Sequence, residues 1–335
     1  MKRIGRYTVE FESSPRIIAA AASVGKTEGE GPLAEDFDHI NPDDGVGCGT
    51  WEHAEAALVR QAASLCIKKA AVNAEDIDIV FAGDLLNQCT ASTFGFREFG
   101  IPAAGLFGAC STFALALYMA ALTVDSGGAR MAMAEASSHF CGAEKQFRYP
   151  LEYGGQRTPT AQRTVTGAGA ALIGSRRGAI RIRRGTVGVI TDYGITDMAN
   201  MGAAMAPAAA KTIAAFLEDT GTAPEDYGMI LTGDLGMIGS NLLVELLREE
   251  YGIDISSRHA DCGNMIFYAE KQDTHAGGSG CGCSAAVVCT RIMRVLGERK
   301  IKNVLFAGTG ALMSPLTAYQ GDTIPAIAHA VLLEI

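Results

Sequence analysis

Charge and aromatic rings are scarce in this sequence. Asp, Glu, Lys and Arg make up 19% of it, and Phe, Tyr and Trp 7%, with a single tryptophan, Trp51. With 48% apolar residues and 40 glycines over 335 positions, the low charge excludes a disordered chain and predicts a compact α/β protein rich in tight turns. That length suits one large domain or two fused ones. Basic residues (28) are fewer than acidic ones (37), and the net charge of −9 argues against a general nucleic-acid binder while leaving room for a local basic pocket. Long hydrophobic runs are also missing, since no stretch approaches the ~18 apolar residues of a membrane span. Ile17 to Val24 is short and follows Glu10, Glu12 and Arg16, so it reads as a first core strand and not a leader segment. The nine cysteines are odd in number and irregular in spacing, and no secretory segment is read before them. Reduced thiols in a cytosol-like compartment are expected. Cofactor signatures are lacking too. Gly277-Gly-Ser-Gly280 has neither a Walker lysine nor Rossmann spacing, so no nucleotide or other cofactor is expected. His259, Cys262, His275, Cys281 and Cys283 are metal ligands in kind but contain no paired C-x-x-C, and no metal is expected.

What is present is organised around Gly105-Leu-Phe-Gly-Ala-Cys-Ser-Thr-Phe-Ala-Leu-Ala-Leu-Tyr118. Gly108 and Ala109 allow a bend, and the uncharged run Thr112 to Val124 predicts a helix buried on all sides, stopped by Asp125-Ser-Gly-Gly128. Cys110 and Ser111 would then stand at the positive end of a helix dipole beside free N–H groups, where a thiolate or a bound anion is stabilised. The alternative is that Cys110 is a small core residue.

The chain also repeats itself. Glu75-Asp-Ile-Asp-Ile-Val-Phe-Ala-Gly-Asp-Leu85 returns as Glu225-Asp-Tyr-Gly-Met-Ile-Leu-Thr-Gly-Asp-Leu235, 150 residues later. Each copy is a polar turn, a short buried strand and Gly-Asp-Leu, preceded by a helix (about Trp51 to Ala71, and about Ala208 to Glu218). Gly108-Ala-Cys-Ser111 and Cys281-Gly-Cys-Ser284 each lead into a further helix and strand. Two related α/β halves follow: residues 1–185 with a long structured loop over 141–163, and 186–335 with an insertion over 253–280. Met198 to Ala210, rich in small residues, is read as a close-packing segment or an interface.

Two duplicated halves with a cysteine opening a buried helix in the first resemble the thiolase superfamily. The resemblance is closer to one branch. Ala82-Gly-Asp-Leu-Leu-Asn-Gln88, Leu106-Phe-Gly-Ala-Cys-Ser-Thr112, Ser137-Ser-His139, Gln146-Phe-Arg-Tyr-Pro150, Met205-Ala-Pro-Ala208, Asp261-Cys-Gly-Asn-Met265 and Ala276-Gly-Gly-Ser-Gly-Cys-Gly-Cys-Ser284 resemble the stage V sporulation protein AD (SpoVAD) family over essentially the whole chain. The resemblance implies a layered α/β/α/β/α thiolase-like fold with mostly parallel mixed sheets. It also implies a homodimer paired through the edge strand of the first half. For function it implies binding of dipicolinic acid (pyridine-2,6-dicarboxylate), with calcium as a companion ion. The partners implied are membrane-embedded SpoVA proteins, which would hold a soluble protein at the forespore or spore inner membrane.

Condensing chemistry needs two proton-handling groups beside the thiol. The superfamily pattern places one where this chain has Gly233 and Asp234, and the other where it has Gly282. Glycine has no side chain to offer, and an ionised Asp234 beside Cys110 would raise the thiol pKa. A binding protein is therefore expected, with Cys110 a vestigial nucleophile. A Cys110-dependent acyl-transferring enzyme and a pure assembly scaffold are the alternatives. The expected ligand-binding residues are Cys110, Ser111, Asp84, Asn87, His139, Arg148, Tyr149, Arg157, Asp234 and Cys283. Arg148, Tyr149 and Arg157 supply forks and a stacking face for a flat dicarboxylate. Asp84 and Asp234 would repel it unless protonated or bridged by a cation, and the ordinary alternative for His139 is a satisfied core histidine.

Overall fold

A computed structural model describes residues 1–147 and 156–335, so Arg148 and Tyr149 lie outside the described residues. Ten strands carry the architecture: β1 (Arg16–Val24), β2 (Ile79–Gly83), β3 (Ala103–Gly105), β4 (Met131–Ser138), β5 (Gly167–Gly174), β6 (Ile180–Thr186), β7 (Met229–Thr232), β8 (His259–Asp261), β9 (Asn303–Ala311) and β10 (Ala326–Glu334). They lie in the order β3-β2-β4-β5-β1-β6-β10-β9-β7-β8. Read outward from the middle, the first five run β1-β5-β4-β2-β3 and the second five β6-β10-β9-β7-β8, the same order twice. Pairing senses match as well. The second strand of each set is parallel to the third and fourth, and the fifth is antiparallel to both neighbours. The two sets fuse into one continuous sheet where Arg16 and Ile17 pair with Arg181 and Ile180. A division after residue 185 therefore cuts β6.

Helices follow the same plan. The first half is covered outside by α1 (Trp51–Ala70), with α2 (Thr90–Phe96) beside it. Next come α3 (Thr112–Asp125) and α4 (Phe140–Phe147), then α5 (Met201–Thr220) and α6 (Gly236–Tyr251), which cover the second half. After the short α7 (Cys262–Ile266), α8 (Cys281–Val287) continues through a π turn, Val288–Ile292, to Gly297. Both α3 and α8 lie in the cluster that unites Ala132 and Ala134 of β4 with Phe306 of β9 and Val331 of β10, so they form the middle layer. Phe113, Ala116, Leu117 and Ala120 of α3 are fully buried, which is why that run carries no charge before Asp125. Burial of each large apolar side chain contributes about 1.5–3 kcal/mol.

Local chemistry sets the ends. Thr50 accepts from His53 N at 3.3 Å to cap α1, and α5 and α6 end on left-handed Gly221 (φ 63°) and Gly252 (φ 67°). Three sequence expectations are corrected. Helix α5 begins at Met201, well before Ala208, and carries Pro207 inside it. Its small residues let it cross α6 closely: a Cβ on Gly202 would stand 2.9 Å from Gly239 N, and packing offsets the bond the proline removes. Cys141 to Phe147, expected as loop, is helix α4. Finally, the stretch expected as an insertion contains β8, the counterpart of β3.

Candidate functional site

The bend before α3 is real. Ala109 is left-handed (φ 49°), a conformation that costs an L-residue about 1 kcal/mol, and it turns Cys110 toward the middle of the molecule. Ser111 Oγ donates to Gly108 O at 2.6 Å, and Thr112 Oγ1 donates to Ala109 O at 2.6 Å, so both hydroxyls lock the turn. Ser111 is fully buried in that role.

Cys110 lines a narrow cavity with Leu85, Phe107, Phe147, Met201 and Met313, and with two hydroxyls, those of Thr164 and Ser279. Its open space is about 30 Å³, room for a water or two. Among the described residues it is lined by no arginine, lysine or histidine.

Behind the thiol sits Asp234, fully buried. Its Oδ2 accepts from Ser279 Oγ at 3.0 Å and Gly280 N at 2.8 Å, and its Oδ1 from Thr309 Oγ1 at 2.8 Å. Ser279 Oγ is 3.9 Å from Cys110 Sγ. Burial raises the Asp234 pKa, and these donors together with Cys110 oppose the rise. Burial first, and Asp234 second, push the Cys110 thiol well above its usual range, so it is held neutral. Asp234→Asn removes that negative charge, and alkylation of Cys110 by iodoacetamide at pH 8 is expected to quicken about threefold for each unit the pKa falls, because the gain in thiolate outweighs its lower nucleophilicity. Peptide mapping follows the site, and an unchanged rate would show that Asp234 does not govern the thiol.

At the positions that the superfamily pattern reserves for proton transfer, Gly282 is closed to a side chain and Gly233 is tightly packed, while Asp234 beside it meets the thiol. A Cβ on Gly282 would lie 2.3 Å from Gly167 O and 2.7 Å from Ser138 N, and one on Gly233 would lie 3.0 Å from Thr309 N. The histidine of β10, His329, packs against Gly108, accepts from Gly188 N at 3.2 Å, and is pushed down to about 4 by burial.

Those of the remaining expected site residues that the structure describes are not gathered at Cys110. Asp84 is fully buried, with its oxygens accepting from Leu86 N (2.9 Å), Ser92 N (2.8 Å) and Ser92 Oγ (2.7 Å). Asn87 is exposed on the surface turn after β2. His139 stacks on Trp51, its Nε2 donates to Asp44 O at 2.7 Å, and burial lowers its pKa, so it is the satisfied core histidine. Cys283 is wholly buried in α8 outside the lining. Arg157 lies against Phe140 of α4 and Asp273, outside the lining. Arg148 and Tyr149 follow Phe147, which does line the cavity, but are outside the described residues. Sequence reading missed Thr164, Ser279, Met201 and Met313, which carry no motif of their own. Ser279, set between glycines, gave the only signal. Among the described residues no group of three or more His, Cys, Asp or Glu could hold a metal ion, and no helix is long and apolar enough to cross a membrane.

Comparisons with known proteins agree with this architecture. Solved structures with the same fold include 3-oxoacyl-[acyl-carrier-protein] synthase III from Aquifex aeolicus, at TM-score 0.58 and 15% identity over 96% of this chain and all of that one. An OleA variant from Xanthomonas campestris matches at TM-score 0.59 and 13% identity over 98% and 99% of the two chains. At such identities the likeness concerns fold alone, and the fold is thiolase-like. In sequence, the chain is 43% identical to stage V sporulation protein AD of Bacillus subtilis over 334 residues, covering 100% of this chain and 98% of that protein. The family model for stage V sporulation protein AD (SpoVAD) matches residues 5–334. A duplicated thiolase-like sheet, a neutral Cys110 and a match running from one end of the chain to the other lead to one assignment: this chain belongs to the stage V sporulation protein AD family.

Proposed function

We propose that this chain is a non-catalytic binding protein for dipicolinic acid that serves sporulation and germination by handing the compound to and from membrane-embedded SpoVA proteins. The observation that carries the non-catalytic part is the packing of Gly282, tight against backbone where a proton-handling side chain would have to stand. The neutral thiol of Cys110 supports it. Membership of a sporulation family supports the setting. Attachment at the forespore or spore inner membrane then rests on protein partners. The outer strand β3, with Ala103 and Gly105 exposed, is the edge through which two copies would pair as a homodimer.

Calorimetric titration of dipicolinate, with picolinate and isophthalate as comparators, tests the reading. Saturable binding that prefers dipicolinate is expected, and its absence removes the proposal. One observation favours a second reading. The apolar lining beside Cys110 suits an acyl chain better than a dianion. Incubation with acyl-CoA followed by intact-mass analysis separates the two, since an adduct lost in Cys110→Ala would make the protein an acyl-transferring enzyme.

A further inference from the structure

The chain carries a net charge of −9, yet one groove on its surface is lined by two arginines and a histidine against a single acid. It lies between α1 and α2, where residues 48 and 49 lead into α1, and it encloses about 430 Å³. That is the size of a small-molecule site. Cys48, His53, Arg60, Phe94, Arg97 and Glu98 line it. On α1, His53 and Arg60 share one face, separated by roughly two turns. Phe94 and Arg97 stand at the end of α2. Two helices therefore bring cations to one hollow.

Phe94 is the hub of the groove. Its ring is 39% exposed, although phenylalanine is among the residues most often buried. The Arg97 guanidinium lies over it, Cζ 5.2 Å from the centroid, and the His53 ring meets it edge-on at 6.1 Å. Arg97 has one acidic neighbour, Glu98, at 3.9 Å, with the two side chains 60% and 61% exposed. A contact that long between solvated groups neutralises little. Arg60 is half-buried and makes no hydrogen bond or ion pair among the described residues. Half-burying a guanidinium strips part of its water, and no described acceptor replaces it.

We infer that this groove binds a phosphomonoester, with Arg60 and Arg97 holding the phosphate and Phe94 bearing on its organic part. A carboxylate presents two oxygens in one plane and is met by a single fork. A phosphomonoester spreads three terminal oxygens tetrahedrally, which suits guanidinia arriving from two helices. The imidazole of His53 adds an N–H donor. Glu98 is the one opposing charge in the lining, and it is exposed enough to turn to water. Gly49, also in the lining, has nothing within 4 Å of its Cβ position, so the groove is open on that side. Occupancy here leaves the proposed function untouched, since the groove and the Cys110 cavity share no lining residue. The same phosphate group occurs on soluble esters and on the headgroup of phosphatidic acid.

Two probes separate those sources: phenyl phosphate, followed by calorimetry, and phosphatidylcholine vesicles with or without phosphatidic acid, followed by co-sedimentation. Wild type is compared with Arg60→Gln, Arg60→Lys, Arg97→Gln and Arg176→Gln, each checked for folding by circular dichroism. Arg176 is exposed in the turn between β5 and β6, outside the groove, and controls for the change in charge. Saturable binding of at least one probe is expected. Arg60→Gln and Arg97→Gln are each expected to weaken it about tenfold or more, and Arg60→Lys to lose less, because an ammonium keeps the charge and gives up the fork. Arg176→Gln is expected to stay within about twofold. Binding of phenyl phosphate alone supports a soluble ester as the ligand, and binding of phosphatidic-acid vesicles alone supports the headgroup. No binding of either probe overturns the site, as does binding that Arg60→Gln and Arg97→Gln weaken no more than Arg176→Gln. Benzoate binding as tightly as phenyl phosphate overturns the choice of phosphate.

Discussion

Gly282→Ala is expected to destabilise the protein by about 3 kcal/mol or more, at the upper end of what overpacking costs a core. The added methyl would lie 2.3 Å from Gly167 O and 2.7 Å from both Ser138 N and Ser138 Oγ. Gly167 opens β5 and Ser138 closes β4, so the obstacle is the backbone of two central strands paired to each other at that point. Rotamer changes cannot relieve it, and α8 would have to move outward through a layer whose side chains are wholly buried. Gly297→Ala is the control, since nothing lies within 4 Å of its Cβ position. Urea unfolding checks the pair. Equal midpoints for Gly282→Ala and wild type would sink both the packing claim and the argument that no catalytic side chain fits here.

Raising the pH should weaken the fold, through buried carboxyl groups. Glu135 on β4 is fully buried with neither oxygen hydrogen-bonded, and Glu55 on α1 has one oxygen on Ser137 Oγ at 3.0 Å and the other unpaired. Asp84 completes the cluster and takes three donors, Leu86 N, Ser92 N and Ser92 Oγ. Desolvation, reinforced by Asp84, pushes both glutamates well above the ordinary 4.5. A carboxyl whose folded pKa is raised binds its proton more tightly folded than unfolded. Its contribution is complete below about 4.5 and is lost as pH climbs through the folded value, at about 1.4 kcal/mol per pH unit for each group. Glu28 and Asp261, both pushed up to about 7 by burial, act in the same direction. Glu135→Gln keeps the shape and removes one titration. Its unfolding midpoint should fall less steeply between pH 6 and 9 than that of wild type, with the variant the more stable at pH 9. Parallel slopes would falsify the assignment.

Much of the fold could be read from the residues because the two halves use the same sentence twice. The echo of Glu75–Leu85 in Glu225–Leu235 became β2 and β7, which hold equivalent places in the two strand orders. The uncharged stretch after Ser111 became α3 for the same reason that it lacks charge. Pro207 hid the start of α5, because proline usually ends a helix and only tertiary packing against α6 lets it stay. The site was less legible. The turn around Cys110 and the closeness of Asp234 followed from motif and topology, whereas the closure of the cavity depends on Phe147, Met201 and Met313, ordinary apolar residues far apart in sequence. Glu135, the lone charge in Met131-Ala-Met-Ala-Glu-Ala-Ser-Ser138, was passed over in the sequence.

The placement of β10 has a consequence for synthesis. Residues 326–334 lie between β6 and β9, in the interior of the second half, yet they leave the ribosome after β1 to β9. Until Glu334 has emerged, a nascent chain carries two naked sheet borders facing an empty slot, while the first half, whose own interior strand ends at Gly174, can already have closed. Premature termination anywhere in that final stretch leaves a half-built product open to proteases and to pairing with its like.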